Sequence, residues 1–195
     1  MTPSPSERPF HAVDRVVSDA GPLISLEKLT DGFGFIRRLY DRILVPTAVL
    51  EEVGFHEATP EAYLERHGIT DLVEVHTVAS RTELPEMDHL HAGEADAIRL
   101  ALMLELPLLI EEAAGRRAAR KAGVSFSGIA GQILKGYRAD VLSRTGARTM
   151  LEEMLQHRRI NERIYERLVA ALTDGSSVYA GRRGREANTP HESDV

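Results

Sequence analysis

Apolar residues fall into short runs and helical repeats that alternate along the chain. Val16-Val17-Ser18 is a brief run that stops at Asp19, the length of a buried strand. Ala20-Gly21-Pro22 then turns the chain into a helix carrying Leu23, Leu26 and Leu29. Ile43-Leu44-Val45 is a second strand, and Pro46 follows at a helix-start position, where its missing N–H costs nothing. That helix runs through Val49 and Val53. Thr59-Pro60-Glu61 reads as an N-cap and first turn. Val73 and Val75 mark a third strand, and a helix covers residues 92–105. Leu108-Leu109-Ile110 is the fourth strand, closed by Glu111-Glu112, and a helix follows over 113–122. Val124-Ser125-Phe126 is a weaker fifth strand. Helices are predicted over 129–139, 148–156 and 161–172, the last capped by Asn161. Strands alternating with helices predict an α/β fold: a three-layer sandwich around a central parallel sheet of about five strands, with extra C-terminal helices. Right-handed crossovers bring the C-terminal ends of the strands to one edge. Open α/β sheets bind their ligands at that edge.

Acidic residues converge on that edge. Asp19 ends the first strand and Glu111 the fourth. Helical phase chooses among the acids on two helices. At about 100° per residue, Glu94 falls with Ile98 and Ala101 on the inward face, whereas Asp96 falls near Arg99. By the same measure Glu52 lies with Val49 and Val53, and Glu51 points away. An inward carboxylate is costly unless it is paired or bound to a cation. Four converging acids raise one another's pKa, and a divalent cation removes that penalty. All-oxygen donors favour Mg²⁺ or Mn²⁺ over zinc. Such a site can activate water and neutralise a phosphodiester. Taken singly, each acid reads equally as a helix cap or a solvated charge, so phase and topology leave both readings open.

Composition narrows the classes. The 195 residues suit one domain over residues 15–173, and a 43% hydrophobic content supplies a core. Residues 1–14, with three prolines, and 174–195, rich in Gly, Ser and Arg, are expected to be disordered. Without cysteine there is no disulfide, thiolate metal site or cysteine nucleophile. The longest apolar stretch, Leu100 to Ile110, is broken by Glu105 and Pro107 and is too short for a bilayer. With no export signal visible, a cytoplasmic protein with no membrane association is expected.

Five segments resemble a known family in order. Val16-Val17-Ser18-Asp19-Ala20-Gly21-Pro22-Leu23-Ile24 looks like the opening of a PIN-like nuclease, as does the segment from Val45 and Pro46 through Val49, Glu52 and Val53. His91-Ala92-Gly93-Glu94-Ala95-Asp96-Ala97-Ile98 resembles the Gly-Glu-x-x-Ala-Ile segment of that family. Leu108-Leu109-Ile110-Glu111-Glu112 with Gly115-Arg116-Arg117-Ala118-Ala119 resembles its fourth block, and Ser127-Gly128 with Gly131 the next turn. The resemblance spans residues 15–173 and is closest to the branch related to VapC-type toxins. It implies an acidic Mg²⁺ or Mn²⁺ site that cleaves RNA, with ligands at Asp19, Glu52, Glu94 and Glu111. It also implies an antitoxin partner. One departure matters: the fourth block usually carries Asp where this chain has Glu111, one methylene longer. Glu112 is the candidate to serve in its place.

Further residues surround this set. Arg116, Arg117, Arg120 and Lys121 follow the fourth block as phosphate contacts or a solvated helix face, and Arg116, Arg117 and Ser127 are the substrate-binding candidates. His89 and His91 form a His-x-His pair that reads either as surface or as ligand. No tryptophan is present to stack bases. Helices over 148–172 carry Met150, Leu151, Met154, Leu155, Ile164, Leu168 and Leu172, which pack on the sheet or bury a partner; a homodimer is expected. A phospho-acceptor receiver domain also gathers acids around Mg²⁺, but it wants a lysine after the last strand, where Lys28, Lys121 and Lys135 do not sit.

The net charge of -6 argues against RNA until it is divided along the chain. Residues 15–112 carry a net -11, whereas residues 113–173 carry +7. The acidic part suits a cation and the basic part a phosphate backbone. Two functions are therefore carried forward: a metal-dependent endoribonuclease of the toxin type, and a catalytically weak PIN-like module that binds RNA or a protein partner because Glu111 replaces Asp.

Overall fold

Val16 and Val17 lie at the centre of the sheet and are fully buried, one toward each face, which is why the strand reads as an unbroken apolar run. The computed structural model describes residues 14–79 and 89–173. The described elements are β1 (Arg15–Ser18), α1 (Ala20–Glu27), α2 (Gly32–Ile36), β2 (Arg42–Pro46), α3 (Thr47–Val53), α4 (Pro60–Arg66), β3 (Val73–His76) and α5 (Ala92–Leu104). They continue with β4 (Leu108–Leu109), α6 (Ala113–Lys121), β5 (Phe126–Ser127), α7 (Ile129–Arg138), α8 (Arg144–Gln156) and α9 (Glu162–Thr173). The expected disordered ends, with Arg182, Arg183 and Arg185 of the Arg-rich C-terminal segment, lie outside the described residues, apart from Asp14.

Five parallel strands pair in the order β3-β2-β1-β4-β5. Val17 aligns with Leu44 on one side and Leu108 on the other. Successive side chains alternate between two cores. Val16, Ile43, Val45 and Leu109 meet α1, α2, α7 and α8. Val17, Leu44, Leu108 and Ile110 meet α5 and α6. The C-terminal helices thicken the first of these layers: Met150, Leu151 and Met154 on α8 are buried, while α9 buries only Ala171 and Leu172. Among the described residues, no helix is long and apolar enough to cross a membrane.

Three elements differ from the sequence pattern. The short α2 went unread because two glycines dilute it; burial of Phe35 and Ile36 holds it in place. The fifth strand starts later than expected, at Phe126. The Val124 N–H instead closes the end of α6 on the Ala119 carbonyl, and Gly123 there takes a positive φ. Ser127 is therefore a strand residue rather than one that follows the strand. The eighth helix begins at Arg144, not 148, because Ser143 caps it by accepting the Gly146 N–H. The predicted Asn161 cap is present, its side chain accepting the Ile164 N–H.

Candidate active site

The chain leaves β1 toward β2 on one side of the sheet and returns as β4 on the other, which opens a crevice at the C-terminal edge. Asp19 is the first residue past β1. Its N–H donates to the Leu109 carbonyl, pinning it beside β4. Only 3% of it is exposed, and it takes the N-cap position of α1 without a side-chain cap hydrogen bond. Burial pushes its carboxyl up to about 6; the Ala20 and Gly21 amides oppose the rise, while the charges of Glu94 and Glu52 add to it.

Glu94 lies in the first turn of α5 and is 5% exposed. Its Oε2 accepts the His91 N–H at 3.3 Å, whereas its Oε1 is buried without a hydrogen-bond partner. Glycines let the acids approach. A Cβ at Gly115 would stand 2.8 Å from Glu94 Oε1 and run into the Ile110 side chain, and one at Gly93 would stand 3.1 Å from Glu52 Oε2. Gly115→Ala is therefore expected to cost about 1–3 kcal/mol, because Ile110 is fully buried and has nowhere to move. It should also weaken the thermal shift given by Mn²⁺. Calorimetry with and without the ion checks both.

The acidic cleft, about 320 Å³, is lined by Asp19, Glu52, Glu94 and Glu112 together with His89, His91 and Arg159. Helical phase separates the neighbours as expected in one pair: Asp96 turns away and pairs with Arg99 at 2.8 Å. Glu52 reaches the cleft but from an exposed position rather than a buried one. His89 and His91 are exposed, yet both border the acids.

Glu111 turns elsewhere. Its Oε2 accepts the Ser25 hydroxyl and the Arg159 Nη2, each at 2.7 Å, and its Oε1 accepts the Ile129 N–H at the start of α7. It lines a second cleft of about 340 Å³ with Arg116, Ser127 and Arg159. Arg116 donates to the Ile110 carbonyl, and Ser127 accepts from the Gln132 amide. Arg117 is exposed and borders neither cleft. So the structure groups Asp19, Glu52, Glu94 and Glu112, and sets Glu111 with Arg116 and Ser127 next door.

Arg159 joins the two clefts, and sequence reasoning missed it. Its Nε donates to Ser25 Oγ and its Nη2 to the Gly21 carbonyl and Glu111. It stands in the turn between α8 and α9, where a run of charged residues gives no sign of a distant partner. Ser25 carried a faint signal, as a hydroxyl set among the apolar residues of α1.

A family model described as PIN domain matches residues 15–174. The chain belongs to the PIN domain family. PIN domains are generally nucleases that hydrolyse phosphodiester bonds with divalent metal ions. Among solved structures, this PIN domain is similar to a PilT N-terminus domain protein from the hyperthermophilic archaeon Sulfolobus solfataricus P2. The identity is 15% and the TM-score 0.44, over 60% of this chain and 89% of that one. No curated protein matches.

The donor set of this PIN domain fits a hard cation. It is all oxygen on the Asp19, Glu52, Glu94 and Glu112 side, and Glu94 Oε1 is a buried carboxyl oxygen lacking a partner. Among the described residues, no three His, Asp or Glu side chains are already drawn around one point.

Proposed function

We propose that this PIN domain is a Mg²⁺- or Mn²⁺-dependent endoribonuclease, the toxin of a toxin–antitoxin pair. The observation that carries the catalytic part is the unpartnered Glu94 Oε1 beside the buried Asp19. Asp19 and Glu94 would hold the ion, with Glu52 and Glu112 contacting it from the rim through water. Once bound, the ion supplies a Lewis acid that acidifies water and neutralises the phosphodiester. Arg116 and the helix α6 cations, following directly on β4, suit the RNA backbone. The toxin reading rests on the sequence resemblance. A small neighbouring open reading frame whose product blocks cleavage supports it, and cleavage indifferent to any such product would count against it.

A second reading, a PIN module that binds RNA or protein without cutting, draws on the engagement of Glu111 with Arg159. The two separate in one assay. Purified protein with Mn²⁺ is expected to cut an end-labelled single-stranded RNA, EDTA to stop it, and Glu94→Gln to slow it on the order of 10²-fold. RNA retention without cleavage in Mg²⁺ or Mn²⁺ would favour the binding module instead.

A further inference from the structure

Sites that use two divalent ions hold them about 3.5–4 Å apart between shared carboxylates. The fifth acid at this edge, Glu111, is already committed. Its Oε2 is shared by Ser25 Oγ and the Arg159 guanidinium at 2.7 Å each, and its Oε1 takes the Ile129 N–H. The Nε of Arg159 also holds Ser25 Oγ at 2.7 Å, so arginine, serine and carboxylate close a ring of hydrogen bonds. Asp19 Oδ2, Arg159 Nη2 and Glu111 Cβ all lie 3.7 Å from the point a Gly21 Cβ would occupy, and Arg159 lines both the acidic cleft and the cleft of Glu111, so the guanidinium is shared by the two. A cation entering there would meet a fixed positive charge and would have to take Glu111 from two donors and from the positive end of α7.

We infer that Arg159, delivered by the turn between α8 and α9, takes the charge position of a second divalent ion and limits this cleft to one. The inference rests on the metal-dependent reading of the cleft. Arg159 is a positioning residue: it neutralises Glu111 and touches no ion itself. The extra methylene of Glu111 belongs to the same arrangement, since it carries the carboxylate past the cleft toward Ile129 and Arg159.

Counting bound Mn²⁺ tests this without any turnover. Loss of the free-ion signal in electron paramagnetic resonance titrations gives the number bound per chain. The wild type is expected to bind one, and Arg159→Lys, which keeps the charge, also one. Arg159→Met frees Glu111 and is expected to show a second, weaker site, which Arg159→Met with Glu111→Gln removes. Two ions on the wild type overturn the inference, and that count needs no variant. A folded Arg159→Met protein that still binds one also overturns it. No Mn²⁺ on the wild type removes the metal-dependent reading itself, whereas one ion lost in Asp19→Asn keeps that reading whatever Arg159 does.

Discussion

Asp19→Asn is expected to stabilise the protein without metal while abolishing RNA cleavage. Folding moves this carboxyl from water to a site that is 3% exposed and faces the charges of Glu94 and Glu52. Its pKa rises from 3.8 to about 6. Below 3.8 the folded and unfolded chains both hold the proton and the residue has no effect. Between 3.8 and about 6 the unfolded chain has released it and the folded chain has not, so stability falls as pH rises. Above that window the full cost remains, on the order of 2–3 kcal/mol at about 1.4 kcal/mol per pKa unit. Asparagine has no charge to bury, so Asp19→Asn should gain roughly that much at pH 8 and little at pH 3.5. Urea unfolding in EDTA at the two pH values measures it. An equal gain at both would mean that the charge of Asp19 is not what the fold resists. Cleavage in Mn²⁺ should drop by 10²–10³-fold or more, the scale seen when a preorganised electrostatic group is removed. The Mn²⁺-induced rise in melting temperature should vanish with it.

Glu111→Ala is expected to do the opposite to stability. Glu111 and Arg159 side chains are 11% and 25% exposed, and the carboxylate ties β4 to α1, the start of α7 and the α8–α9 turn. Removing it leaves a largely buried guanidinium without its counter-charge and the Ile129 N–H without its acceptor. Losses of 3–5 kcal/mol are typical when one partner of a buried pair is removed, and partial exposure of Arg159 brings the expectation to about 2–4 kcal/mol. Glu111→Asp should cost less, about 1–2 kcal/mol, since it keeps the charge but shortens the reach. A double-mutant cycle with Arg159→Ala should return a coupling of about 1 kcal/mol or more. Strict additivity would show that the pair is a surface contact of little weight. The two acids lie at one sheet edge, yet their charges act with opposite sign. For Asp19, burial and the charges of Glu94 and Glu52 outweigh the Ala20 and Gly21 amides, while Glu111 has a cation and two further donors.

Much of this was legible along the chain. Apolar runs set against helical repeats determined the parallel sheet, because strands buried on both faces admit few polar residues. Strand ends fixed Asp19 at the ligand edge, and helical phase picked Glu94 over Asp96, because a helix rotates each side chain by a constant angle. Phase placed Glu52 at the cleft too, but could not say that it stays in solvent. The strand-end rule brings Glu111 and Glu112 to the edge but does not say which of them faces the cleft. They sit between a strand and a helix, where no period fixes the direction of a side chain. Glu111 turns away because Ser25, 86 positions before it, and Arg159, 48 positions after it, meet its carboxylate. Glu112 is left to face the cleft. Sequence by itself determined which acids reach this edge; tertiary structure decided which of them are already paired, because the pairing charges come from parts of the chain that only folding brings together.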